Sequence, residues 1–170
     1  ELFVNGKSQG RITKSDTARL DRYRLRWRNV VYEPGELKVV VYDEQGNKAG
    51  QKIVRTAGKP KHLRLEPERK TIAADGNDLA FITVSLVDKN GTLCPDASNL
   101  LQFSVTGAGT YKASCNGDAT SLEPFTEPRM SLFHGQLVVV CQAAKTPGVM
   151  TLTVKDPATG MKSSVNITVK

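Results

Sequence analysis

Along the chain, short runs rich in Val, Ile, Leu, Thr and Phe are separated by polar turn signals that recur at short intervals. The turns read NG at 5–6, EPG at 33–35, DEQGN at 43–47, DG at 75–76, DKNG at 88–91, NGD at 116–118 and ATG at 158–160. The clearest runs predict strands over 37–43, 78–88, 100–107, 136–143, 149–156 and 162–170. No segment of 12 or more residues carries a helical apolar period, so no long helix is expected. Strands of this length with turns of this kind point to an all-β chain of the sandwich type.

The stretch TAGKP at 56–60 breaks the pattern, because Gly58 and Pro60 interrupt two strand-like segments. The expected organisation is therefore two immunoglobulin-like β-sandwich domains in tandem, over 1–57 and 58–170. The first has few residues for a sandwich, and LFV follows Glu1 directly with no evident partner for that strand. It is expected to be incomplete at its N-terminus, and the chain to be a fragment of a longer protein.

With 170 residues and 39% apolar composition there is material for a core. No run of about 18 apolar residues is present, so neither a transmembrane helix nor a membrane partner is expected. The start, ELFVNGKSQG, lacks the basic and apolar regions of a signal peptide. The net charge is +7, of which +5 falls in residues 1–57 and +2 in 58–170. The excess is concentrated in RYRLRWRNV, where Arg22, Arg24, Arg26 and Arg28 alternate with Tyr23, Leu25 and Trp27. On a strand this would put the Arg row on one face and the apolar residues on the other. A docking or solvated strand face is the expected reading; no recognition helix or stacked-aromatic module accompanies the row, so no nucleic-acid partner is expected.

Candidate chemistry is sparse. Cys94, Cys115 and Cys141 are odd in number and include no CxxC, so three buried, inert thiols are expected rather than a zinc or disulfide framework. A literal GxSxG spans Gly6, Ser8 and Gly10, but the GRITKSD that follows suits no nucleophile-elbow helix, and Asn5-Gly6 reads as a hairpin turn. His62 and His134 show no metal spacing, and no phosphate or dinucleotide loop is present; neither a metal nor a cofactor is expected. The polar stretch NGDATSLEPF at 116–125 holds Asp118 and Glu123, which could face one another as a glycosidase pair does. The expected reading is a shaped loop, with Asp118 and Thr120 bonding local backbone and Phe125 packed inward. Asn116, Asp118 and Glu123 are the polar candidates should the loop hold a sugar. No residue is assigned a catalytic role.

The motifs ELFVNGKSQG, RLRW, YEPGELKVVVYD and VRTAGKP resemble a small β-domain towards the C-terminus of glycoside hydrolase family 2 enzymes, especially the β-galactosidase group of Bacteroidetes. DGNDLAFITVSLVDKNGTLCPDASNLLQFSVTGAGTY, NGDATSLEPF and the Phe133–Gly135 element resemble the last immunoglobulin-like domain of the same enzymes. The resemblance covers nearly the whole chain. It implies a parent whose two catalytic Glu lie on a TIM barrel upstream, and a barrel needs on the order of 200 residues or more. No catalytic residue of the family maps onto this chain. The implied role is non-catalytic support of the barrel, with the other domains of the same chain as partners and an exported parent, in the periplasm or at the cell surface. Arg24, Arg26, Trp27 and Tyr32 are the docking candidates, since Arg and aromatic side chains are favoured at interfaces. A carbohydrate-binding module, with glycan as partner, and an invasin-like adhesive repeat are the alternatives.

Overall fold

A computed structural model describes residues 1–17 and 19–170. Its described residues contain strands and turns and no helix, as the all-β reading expects. Two compact units divide the chain, Glu1–Thr56 and Ala57–Lys170.

Among its described residues the first unit has four strands, β1 (Leu2–Val4), β2 (Lys7–Ser8), β3 (Glu36–Tyr42) and β4 (Lys48–Arg55), in one sheet of order β2-β1-β3-β4. The opening strand does have partners: Leu2 pairs with Val39 on β3, and Phe3 with Ser8 on β2. Asn5 and Gly6 make the connecting turn with φ of 48° and 80°, the double left-handed geometry that suits a two-residue hairpin. The GxSxG is thus a hairpin, and Ser8 donates to Glu1 at 2.7 Å. Asn5 also ties the turn to β3, since its Oδ1 accepts the Glu36 N–H at 2.8 Å.

The Arg-rich segment forms no strand, a correction to the expected alternating face. It bonds locally instead of joining a ladder. Arg26 donates to Asp21 at 2.6 and 2.9 Å, and the Trp27 indole donates to the Gly10 carbonyl at 3.0 Å. Tyr23 and Leu25, which a half-buried strand would turn inward, are exposed.

The second unit is a two-layer sandwich. Its strands are β5 (Pro60–Pro67), β6 (Thr71–Ile72), β7 (Leu79–Asp88), β8 (Leu100–Gly107), β9 (Gly109–Cys115), β10 (Arg129–Ser131), β11 (Gln136–Ala143), β12 (Gly148–Lys155) and β13 (Lys162–Val169). One sheet runs β10-β8-β12-β13-β6 and the other β5-β7-β11-β9. All pairings are antiparallel except β13 with β6. Alternation builds the core: Leu137, Val139 and Cys141 point in from β11, Met150, Leu152 and Val154 from β12, and Ile82, Val84 and Leu86 from β7. Each such side chain contributes about 1.5–3 kcal/mol of burial, set against the entropy of ordering it.

Buried carboxylates close the turns. Asp88 accepts N–H groups from Gly58, Asn90 and Thr92 at 2.8–2.9 Å, which fixes the start of the unit against the β7 turn. Those bonds, that from Gly58 first, hold its carboxyl below the usual range. Asp156 does the same for the β12–β13 turn and also accepts from Asn99 at 2.9 Å. A β-bulge lies where β9 meets Val140 and Cys141. It shifts the alternation by one, so Ser114 turns inward opposite Val139 and Cys115 faces solvent. Cys115 is therefore exposed, not buried as expected, while Cys94 and Cys141 are buried and all three are free.

Candidate functional site

The stretch 116–127 leaves β9 at Cys115 and returns to β10 at Arg129, and its polar residues bond mainly to one another. Asn116 Oδ1 accepts the Asp118 N–H at 3.0 Å, and its Nδ2 donates to the Ser131 carbonyl at 3.0 Å. Asp118 Oδ1 accepts from the Thr120 N–H at 2.9 Å and from its hydroxyl at 2.7 Å. The Glu123 carboxylate accepts the Ser131 N–H at 3.1 Å and hydroxyl at 3.0 Å, which pins the loop to β10. Tyr111 Oη sits 2.6 Å from the Glu127 carbonyl and 2.9 Å from that of Phe125, and the Ser114 N–H donates to Phe125 O at 2.8 Å. Ring stacking on Phe103, with centroids 5.9 Å apart, holds Tyr111 in place.

The local bonding expected of Asp118 and Thr120 is present. The Phe125 ring is not packed inward: it is 56% exposed, because the loop is anchored through the Phe125 carbonyl instead. Leu122 is 97% exposed. Beside them an open cleft of about 280 Å³ is lined by Leu100, Glu123, Pro124, Glu127, Arg129 and Ser131. Arg129 and Glu127 form an ion pair across 2.8 Å in this lining.

This arrangement is poorly made for acid–base work. A glycosidase-type pair needs one carboxyl raised towards neutrality. Asp118 moves the other way, lowered first by the Thr120 hydroxyl and next by the Thr120 N–H, with His134 a smaller contribution. Glu123 spends its oxygens on Ser131. Among the described residues no three His, Cys, Asp or Glu come together as a metal cluster. His62 is exposed on β5, and His134 sits in a left-handed turn with φ of 49°, beside the Phe133 ring at 4.2 Å.

The docking candidates lie in the first unit and share no strand face. Arg24 is exposed, Arg26 is paired with Asp21, and Trp27 is half-buried on Gly10. Tyr32 is largely exposed, with its hydroxyl 3.1 Å from that of Thr56. Sequence reasoning missed the apolar side of β3 and β4, where Leu37, Val41 and Val54 are exposed. The available signal was LKVVV, a run with no polar position after Lys38 to mark a solvent side.

Comparison with known proteins agrees over both units. Residues 63–165 match the family model described as glycoside hydrolase family 2 C-terminal domain 5, and residues 1–50 match a domain of unknown function, DUF4982. A Bacteroides ovatus protein named beta-galactosidase BoGH2A is 44% identical over 153 residues, 90% of this chain and 17% of that protein. A solved glycosyl hydrolase family 2 member from Bacteroides cellulosilyticus superposes with a TM-score of 0.89 at 34% identity, covering 99% of this chain and 21% of that one. A beta-glycosidase from Bacteroides vulgatus superposes at 0.87 with 28% identity, over 99% of this chain and 21% of its own. The chain thus spans about a fifth of the length of the relatives it matches.

Proposed function

The chain belongs to the glycoside hydrolase family 2 C-terminal domain 5 family, and from that premise we propose that it is the non-catalytic accessory region of an exported β-galactosidase, supporting and orienting the catalytic domain. The observation that carries the reading is the bonding of the 116–127 loop. Asn116, Asp118 and Glu123, the polar groups best suited to chemistry, are held by backbone and hydroxyl partners of the same unit. A loop so occupied builds a rigid surface rather than a reaction centre. A location in the periplasm or at the cell surface belongs to the same proposal.

The test uses the full-length polypeptide with and without this region. Loss of the region is expected to lower the thermal midpoint and galactosidase activity of the remainder, while the chain alone leaves an aryl β-galactoside intact. Hydrolysis by the chain alone, or a remainder that keeps both stability and activity, would overturn the reading.

A second reading, glycan retention, is favoured by the cleft beside Glu123 and by the exposed Leu122 and Phe125, which offer an apolar face next to polar groups. Galactose-agarose retention of the chain that Phe125→Ala abolishes would support it; passage of the unaltered chain through the column would remove it.

A further inference from the structure

The junction of the two units, TAGKP at 56–60, carries the Gly and Pro of a linker, yet the chain there is tied down at nearly every residue. The last ladder residue of the first unit is Arg55 on β4, paired with Glu36, and the first of the second unit is Pro60 on β5, paired with Asp88. Thr56 is held by the first unit. Its N–H donates to the Gly35 carbonyl at 2.9 Å, and its hydroxyl accepts the Gly35 N–H at 3.1 Å and lies 3.1 Å from the Tyr32 hydroxyl. Ala57 and Gly58 are held by the second. The Ala57 side chain packs against that unit's core, and the Gly58 N–H donates to Asp88 Oδ2 at 2.8 Å. Gly58 fits closely, since a Cβ added to it would lie 3.3 Å from the same oxygen. Asp88 is buried and is itself fixed by the Asn90 and Thr92 N–H groups, so this anchor does not swing.

We propose that the units are joined by a bare pivot, a connection without slack in which ψ of Thr56 and φ of Ala57 are the only backbone torsions left unheld. The peptide bond between these residues is planar, and consecutive Cα atoms are about 3.8 Å apart, so no residue remains between the two clamps to act as a tether. The bonds to the Thr56 N–H and hydroxyl fix its φ and its side chain. The packing of Ala57 and the bond to Gly58 fix ψ of Ala57. Steric overlap confines each of the two remaining torsions to a few wells. A flexible linker instead gives a continuous spread of distances that widens with its length. Each clamp is made inside its own unit, so the pivot does not depend on any surface of one unit meeting the other. The use of such a joint rests on the accessory-region reading: a region that supports and orients a catalytic domain passes on position only through a connection that does not stretch. Thr56 and Asp88 are then positioning residues, Thr56 acting through Gly35 and Asp88 through Gly58.

Pulsed electron resonance between two nitroxides tests this in the 170-residue chain. One label goes on exposed Cys115 in the second unit and one on Lys52→Cys in the first, while buried Cys94 and Cys141 stay unlabelled in the folded chain. The natural junction should give one or a few narrow distances. Inserting Gly-Ser-Gly-Ser between Thr56 and Ala57 leaves both clamps in place and should spread those distances into a broad distribution. Unchanged Trp27 emission and Cys141 protection show that both units remain folded in the inserted chain. A broad distribution at the natural junction overturns the proposal. So does a distribution that stays narrow after the insertion, because something other than the joint would then be holding the units. In the full-length polypeptide the same insertion is expected to lower the thermal midpoint and the galactosidase activity. If the distances behave as stated while the full-length protein keeps both, the joint stands and its orienting use is overturned. Deletion of the whole region tests the accessory reading separately.

Discussion

The two units use the same strand grammar but differ in how many layers they build. In the second, every inward side chain of one sheet meets the other sheet, so Ile82, Val139, Leu152 and Ile167 are fully buried. In the first, the described strands lie in a single sheet, and among the described residues only Leu2, Val4 and Val40 are buried apolar side chains. Turn chemistry and backbone ladders suffice to draw a sheet, but burying its apolar face takes a second layer. The second unit contains its own second layer; in the first, Leu37, Val41 and Val54 stay exposed.

The largest test of this contrast is truncation in each layer. Leu152→Ala empties a site between the two sheets and should lower the stability of the second unit by about 2–5 kcal/mol in urea unfolding. Val54→Ala, on the open face of the first unit, should change stability by less than about 0.5 kcal/mol. A Val54→Ala cost approaching that of Leu152→Ala would show that the face is already covered within this chain, and the contrast would fail.

A second test separates the units in one experiment, since Trp27 is the single Trp and all three Cys lie in the second unit. Burial pushes the Cys141 thiol up to about 12, so it offers no thiolate until β11 opens. Cys115 is exposed and should react with a disulfide reagent at once. In a urea series, the Trp27 emission change should precede the urea concentration at which Cys141 becomes reactive. Coincident transitions would mean that the units unfold together, whatever their separate cores.

Much of the second unit was readable because its strands are bounded by turns and carry enough apolar residues to fill one side. The runs 100–107 and 136–143 match β8 and β11 end to end. Strand β9, GTYKASC, escaped because it lies at a sheet edge and holds little apolar signal beyond Tyr111 and Ala113. Its bulge, invisible to a period-two reading, is what exposes Cys115. The Arg row shows the opposite error: alternation without a ladder partner is not a strand. In the 116–127 loop the sequence supported local bonding at Asp118, but it could not show that Glu123 closes on Ser131 from eight residues away, or that Phe125 anchors by its carbonyl.

The smallest effect concerns the turn before β7 and confines itself to the second unit. Asp78 accepts from Arg69 at 2.8 Å, from the Ala73 N–H at 2.8 Å and from the Leu79 N–H at 2.8 Å. The Arg69 bond first, then that from Ala73, lowers its carboxyl from 3.8 to about 2. The folded state therefore holds the proton less tightly than the unfolded chain. The contribution is complete above about pH 4 and disappears as pH falls through about 2. Asp78→Asn should accordingly lower the urea midpoint reported by Cys141 reactivity at pH 7, where that readout works. A fluorophore placed on Cys115 follows the same unit down to acid, where thiol chemistry stops. There the gap between variant and unaltered chain should close between about pH 4 and pH 2. Asp75, also lowered, is present in both chains, so its own titration largely cancels in the difference. The Trp27 transition should not move at any pH. A gap that persists unchanged to pH 2 would mean that Asp78 acts through shape and hydrogen bonding alone, and a shift at Trp27 would tie the two units together more closely than their separate cores imply.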